Sequence, residues 1–167
     1  MPTKSQSVKE CQRCTGTTKS GARCRKRTCR GTLCWQHLKK QEGLRVKKST
    51  IPGAGLGLFA AKPFAKGKQV APYVGEKMTK AQVDKRYKGK TAEYVLCQNK
   101  KKCVDARKTN AGAARFANDG KGKKNNAKFS GLNIKTTKKI APDREVLVPY
   151  GKSYWKKPGK NATKSSS

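Results

Sequence analysis

A chain of 167 residues has room for one domain, or for one domain with a small module attached, and 34% hydrophobic residues leave a modest core. Its 42 lysines and arginines face 9 acids, a net charge of +33: +9 over residues 1–43 (11 basic, 2 acidic), +20 over 44–155 (27 and 7) and +4 over 156–167 (4 and none). Charge spread in this way draws polyanions and gives salt-dependent contact with nucleic acid, so DNA held by non-specific electrostatics is an expected partner. No apolar run has the length of a membrane helix, and Met1 to Ser7 lacks the apolar core of a secretion signal, so no membrane association and a reducing, intracellular setting are expected.

Residues 1–9 are polar and read as a flexible N-terminus. Residues 10–40 hold Cys11, Cys14, Cys24, Cys29, Cys34 and His37. In a reducing compartment such density points to metal rather than disulfides. Cys11 with Cys14 is a C-x2-C pair, and Cys34 with His37 is C-x2-H. Each supplies two soft ligands from one tight turn, which is how a tetrahedral zinc site is built in a segment too short for its own core. The stretch from Thr17 to Cys24 is similar to small modules of the form T-x-x-G-x-x-C followed by C-x2-H. That resemblance implies the set Cys14, Cys24, Cys34 and His37, spaced by nine, nine and two residues. Cys11 is the alternative ligand and Cys29 a spare or packing residue. With all four positions taken by protein, the zinc is structural.

A short helix is expected over Trp35–Gln41. Beyond Gly43 the texture changes to short apolar runs cut by Gly, Pro and Lys. Strands are expected at Leu44–Val46, Gly57–Ala60 and Gln69–Tyr73, as a pair at Glu93–Cys97 and Cys103–Ala106, and last at Glu145–Val148; residues 128–137 alternate weakly. Thr79 caps a helix running to about Tyr87. After Trp155 the residues 156–167 form a basic tail expected to be disordered. Many short strands with few helices give a mostly β fold.

Pro52-Gly53-Ala54-Gly55-Leu56-Gly57 invites a dinucleotide-binding reading, with Glu76 about twenty residues on. The context opposes it. A helix has to start at those glycines, and Pro63 and Gly67 interrupt it while apolar alternation continues as strand. A glycine hairpin is the plain alternative.

Three blocks then fall in a familiar order. Lys48 to Ala60, with Lys66-Gly67 and Tyr73-Val74-Gly75-Glu76 after it, resembles the opening of a SET domain. Asn110 to Asp119 resembles its N-x-x-R-F-x-N-H segment, with Asn118-Asp119 where the family has Asn-His. Glu145 to Gly151, then Tyr154-Trp155, resembles its closing E-L-x-x-x-Y-G-x-x-Y-W. The match spans residues 44–155 and is closest in style to small viral SET proteins.

That resemblance implies a SET fold of several small sheets and an S-adenosylmethionine-dependent protein lysine N-methyltransferase. Tyr150 matches the catalytic tyrosine and Tyr73 a tyrosine of the same channel wall. Gly55, Leu56 and Gly57 match the backbone that packs along S-adenosylmethionine, where glycine allows close approach. Arg115, Phe116, Asn118 and Asp119 match the segment that threads past the cofactor. Tyr94 is a further channel wall and Trp155 a cover for adenine, with core packing the alternative for both. The implied substrate is a histone or another DNA-associated basic protein. The implied place is the nucleus or chromatin, or the host nucleus, viral factory or virion for a viral chain. Glu76, Asp84, Glu93 and Asp105 are the acids available to line a groove for a basic substrate. His37 is the only histidine and is spent on metal, which removes histidine-based hydrolase chemistry. The rival reading is a DNA-binding structural or packaging protein on a catalytically weak SET scaffold.

Overall fold

The structure is a computed structural model that describes residues 11–108, 110–155 and 164–165. The expected flexible N-terminus at 1–9 lies outside the described residues. The chain runs β1 (Gln12–Arg13), β2 (Arg27–Thr28), α1 (Trp35–His37), a π-type turn (Leu38–Glu42), β3 (Leu44–Lys48), β4 (Leu56–Ala60), β5 (Gln69–Pro72), β6 (Glu76–Met78), α2 (Lys80–Tyr87), β7 (Val95–Asn99) and β8 (Lys102–Asp105). Two 3-10 turns follow, at Ala113–Phe116 and Gly122–Lys124. Then come β9 (Ala127–Ser130), β10 (Asn133–Thr136), α3 (Lys152–Trp155) and β11 (Lys164–Ser165).

The strands form small sheets. β1 pairs with β2, β3 with β4, the order β5-β10-β9 makes a third sheet, and β11-β7-β8-β6 a fourth. All pairings are antiparallel except β11 on β7. The main core joins Leu44, Leu58, Phe116, Phe129, Ile134 and Val146 between these sheets, each fully buried aliphatic or aromatic contributing about 1.5–3 kcal/mol. A smaller core of Met78, Val83, Val95 and Cys103 sits under α2.

Local chemistry explains most of the elements. Thr79 starts α2 through a capping box, its hydroxyl accepting from the Gln82 N–H while the Gln82 side chain accepts from the Thr79 N–H. The helix at Trp35 runs on as the π-type turn to Glu42, where Gly43 ends it at φ 67°. The weakly alternating 128–137 segment resolves into the β9–β10 hairpin, turning at Gly131 with φ 59°.

Three expectations need correction. Glu145–Val148 is not a ladder strand. It makes single bridges, Phe59 with Glu145 and Asn118 with Leu147, because the Asn126 side chain takes the Glu145 carbonyl and the Leu147 N–H that a ladder needs. The cysteines outside the metal cluster are paired: Cys11 with Cys29 and Cys97 with Cys103. That removes Cys11 as a substitute ligand. Within the tail expected to be disordered, Lys164–Ser165 forms β11, because β7 offers it an unpaired edge.

Candidate active site

The glycine-rich turn and the Asn118 segment are locked together by one buried carboxylate. Glu145 accepts from the Ser49 hydroxyl (2.6 Å), the Thr50 N–H (2.8 Å), the Thr50 hydroxyl and the Asn118 amide (3.1 Å). The same Asn118 amide donates to the Leu56 carbonyl at 2.9 Å. Gly57 has no room for a side chain, since a Cβ there would lie 2.2 Å from Glu145 Oε1. Gly55 takes φ 71°, which glycine adopts without strain. Glycine at 57 is therefore a packing requirement of this junction.

Tyr150 lies at the centre of the site, 6% exposed. Its hydroxyl donates to the Ala117 carbonyl at 2.8 Å and lies 3.5 Å from Asn118 Oδ1. Tyr154 packs edge-on against its ring at 4.6 Å, and Trp155 lies parallel to it at 6.1 Å. The Tyr73 hydroxyl donates to the Tyr94 carbonyl. Burial pushes the Tyr73 and Tyr150 phenols well above their ordinary range, and burial pushes Tyr94 and Tyr154 up to about 12. All four rings are neutral at physiological pH, so the wall they form offers π faces and hydroxyl donors, with no phenolate base.

A lysine sits in that wall. Lys164, on β11, is 1% exposed, and its Nζ lies 4.3 Å from the Tyr150 ring centroid, 5.8 Å from Tyr73 and 6.0 Å from Tyr94. Pattern reading gave no signal for this position, which sits in a run of Lys, Ser, Thr and Asn. Glu145 was visible only as the first letter of a strand.

Asp119 lies beside Tyr150 and Trp155. Burial raises its carboxyl, but N–H donors from Tyr150, Trp155 (Nε1, 2.9 Å), Lys121 and Asn125 outweigh this and hold it below the usual value. An anionic carboxylate, the Ala117 and Asn118 oxygens and the aromatic rings thus converge on one place. Oxygens beside aromatic rings suit a methyl sulfonium, which is cationic.

The other expected site residues separate by role. Trp155 is 48% exposed, is anchored through Asp119 and carries Lys121 Nζ 4.9 Å over its ring. Phe116 is core. Arg115 turns inward, 1% exposed, and donates to the Ala106, Arg107 and Lys108 carbonyls, with its guanidinium 4.6 Å over the Phe116 ring. It holds the 106–108 loop. Of the acids expected to line a groove, Glu76 and Asp105 are tied to Arg86 and Asp84 to Lys80. Glu93 is the one placed to raise Tyr94 and Tyr154 electrostatically.

The N-terminal module brings Cys14, Cys24, Cys34 and His37 together, with their ligand atoms all within 4.8 Å of one another. His37 Nδ1 is 3.4 Å from both Cys14 and Cys34 sulfurs, while Nε2 lies 2.8 Å from the Thr17 carbonyl. That contact assigns the Nε2 proton and leaves Nδ1 to face a metal, as in histidine-ligated sites. Burial raises the Cys14 thiol, yet N–H donors from Cys34 and Gly16 prevail and bring it to about 7. The donor set fits a soft tetrahedral ion.

The SET-domain family model matches residues 55–151, more than half of the chain. No curated protein is detectably similar in sequence. Among solved structures, an active polycomb repressive complex 2 in the stimulated state superposes with a TM-score of 0.63 at 19% identity, covering 75% of this chain and 18% of that one. The ctPRC2 complex with H3K27me3 and H3K27M gives 0.63 at 21% identity over 75% and 16%. A humanized mutant of the Chaetomium thermophilum complex, bound to the inhibitor GSK343, gives 0.56 at 20% identity over 66% and 15%. The chain spans less than a fifth of those proteins, and at this identity they attest the fold alone. The family model, which spans the chain from the glycine turn at Gly55 through Asn118 and Tyr150, places this chain in the SET-domain family.

Proposed function

We propose that the chain is an S-adenosylmethionine-dependent protein lysine N-methyltransferase acting on a histone or another DNA-associated basic protein. The observation that carries this reading is the set of neutral tyrosines, Tyr150, Tyr73 and Tyr94, gathered around the position of a lysine Nζ. S-adenosylmethionine, when bound, supplies an already activated methyl group. What the protein has to do is orient a neutral amine and exclude water.

The residues present suit those tasks. Tyr150, held by the Ala117 carbonyl, fixes one wall of the channel, and Tyr73, held by the Tyr94 carbonyl, fixes another. The Gly55–Gly57 segment and Asn118 form the cofactor side, positioned by Glu145. Asp119 contributes negative charge, and the half-exposed Trp155 is the cover for the adenine, in place of the Lys121 ammonium that lies over its ring. The Cys14, Cys24, Cys34, His37 site is proposed to hold one structural zinc ion.

The charge supports a route to substrate through DNA. A cleft of about 450 Å³ between the N-terminal module and β3 is lined by Lys26, Arg27, Arg30 and the exposed Trp35. Phosphates suit such a lining. The expected setting is the nucleus or chromatin.

Calorimetry should give one S-adenosylmethionine per chain. Methyl transfer to nucleosomes should exceed transfer to a free histone-tail peptide and fall as salt rises. Equal rates on both would remove the DNA route, and absence of cofactor binding would leave a DNA-binding scaffold as the better account.

A further inference from the structure

We propose that the C-terminal tail enters the lysine channel of its own chain and that Lys164 is a self-methylation site. The inference rests on the methyltransferase reading above and adds to it an acceptor and a competitor for outside substrate.

β11 adds to the β7 edge in parallel, with Lys164 opposite Leu96 and Ser165 opposite Cys97. Strand addition of this kind supplies main-chain hydrogen bonds that any sequence can make, so selectivity falls to the side chain that points into a pocket. Here that side chain is a lysine, and the pocket is the tyrosine wall around Tyr150. Lys164 is 1% exposed on a chain of net charge +33. Its place over three ring faces offsets part of the lost hydration. The nine residue steps from Trp155 to Lys164 reach about 30 Å when extended, enough for the tail to fold back on its own domain. A tether of this length gives an effective concentration of millimolar order. A histone lysine would have to compete with it.

The step balances without a further reactant. Lys164 loses a proton to water, and its amine lone pair forms the N–C bond to the sulfonium methyl of S-adenosylmethionine. The C–S bond breaks with its electron pair going to sulfur, leaving the neutral thioether S-adenosylhomocysteine. The methylated ammonium carries the positive charge that left the sulfur.

The test uses the full chain in two arms. Without cofactor, lysines are acylated by a small amine-reactive ester and quantified by peptide mass spectrometry. Lys164 should react about tenfold more slowly than Lys160 in the same tail, and the difference should vanish in denaturant. Equal rates under native conditions would overturn occupancy of the channel. With S-adenosylmethionine added, methyl groups should appear on Lys164, at a rate per chain that does not change with protein concentration. They should be absent in Lys164→Arg, retained in Lys160→Arg and at least tenfold slower in Tyr150→Phe. A rate that rises with protein concentration would overturn transfer within one chain. Methylated histone with unmethylated Lys164 would overturn the self-methylation site and leave the methyltransferase reading intact. No transfer to any acceptor, with no cofactor bound, would overturn both, and the acylation arm would still report whether the tail fills the channel.

Discussion

Glu145 is where the architecture of the site can be tested without any assumption about chemistry. Its carboxylate is 5% exposed and takes hydrogen bonds from Ser49, Thr50 and Asn118, which ties the glycine-rich turn to the segment that carries Asn118 and Asp119. Replacement by alanine leaves the Thr50 N–H without its acceptor. The Ser49 and Thr50 hydroxyls can turn to other partners, and Asn118 keeps the Leu56 carbonyl. A hydrogen bond to a charged group contributes about 1.5–3 kcal/mol. Losing the net equivalent of two gives about 3–6 kcal/mol for Glu145→Ala, in line with a broken buried network. At about 2–4 °C per kcal/mol for a chain of this size, the midpoint of thermal unfolding should drop by about 10 °C. The steric prediction is sharper. Gly57→Ala places a Cβ 2.2 Å from Glu145 Oε1, so it should destabilise wild type by several kcal/mol and cost much less in the Glu145→Ala background. Thermal unfolding followed by circular dichroism, on wild type, both single variants and the double variant, gives the coupling energy. Additive effects within about 0.5 kcal/mol would refute the claim that these residues form one junction.

Further expectations follow from other sites. Zinc content measured by atomic absorption should be about one per chain, fall in Cys24→Ser and His37→Ala, and stay at one in Cys11→Ser, whose sulfur is paired with Cys29. Asp119 has a lowered folded-state value, so its contribution to stability is present above its unfolded value of about 3.9 and is lost as pH falls through the folded value. Urea titrations of wild type and Asp119→Asn should therefore differ most near neutral pH and converge in acid; a gap that widens in acid would contradict this sign. Thr79→Ala removes the capping box of α2 and should cost about 1 kcal/mol in the same titration, with no change in cofactor binding.

What sequence reading could reach depended on how local the cause was. The Thr79 cap and the C-x2-H pair are decided within a few residues, and each appears in the fold where pattern and spacing put it. The blocks around Gly55, Asn118 and Tyr150 were legible through resemblance to a family, in order and in spacing. Long-range polar burial left no such mark. Arg115 was read by resemblance as part of the cofactor segment, and only the fold turns its guanidinium inward onto the carbonyls of 106–108. Glu145 reads as the head of a strand, and only the side chain of Asn126, nineteen residues earlier, turns that segment away from ladder pairing. The acids Glu76 and Asp105 looked available to a basic substrate because Arg86, which neutralises them, lies on a helix that sequence alone does not aim at them, whereas Asp84 pairs with Lys80 four residues earlier on the same helix. Lys164 sits in a low-complexity tail whose composition predicts disorder, and its burial depends on an edge strand more than sixty residues away.

The central claim is that the tyrosine-lined site transfers a methyl group to lysine. The most direct measurement is transfer of labelled methyl from S-adenosylmethionine to nucleosomes, with the modified residue located by mass spectrometry and wild type compared with Tyr150→Phe. The account predicts label on lysine that falls at least tenfold in the variant while S-adenosylmethionine affinity stays within a few-fold. Label that persists undiminished in the variant, or cofactor bound with no lysine methylated, would contradict it.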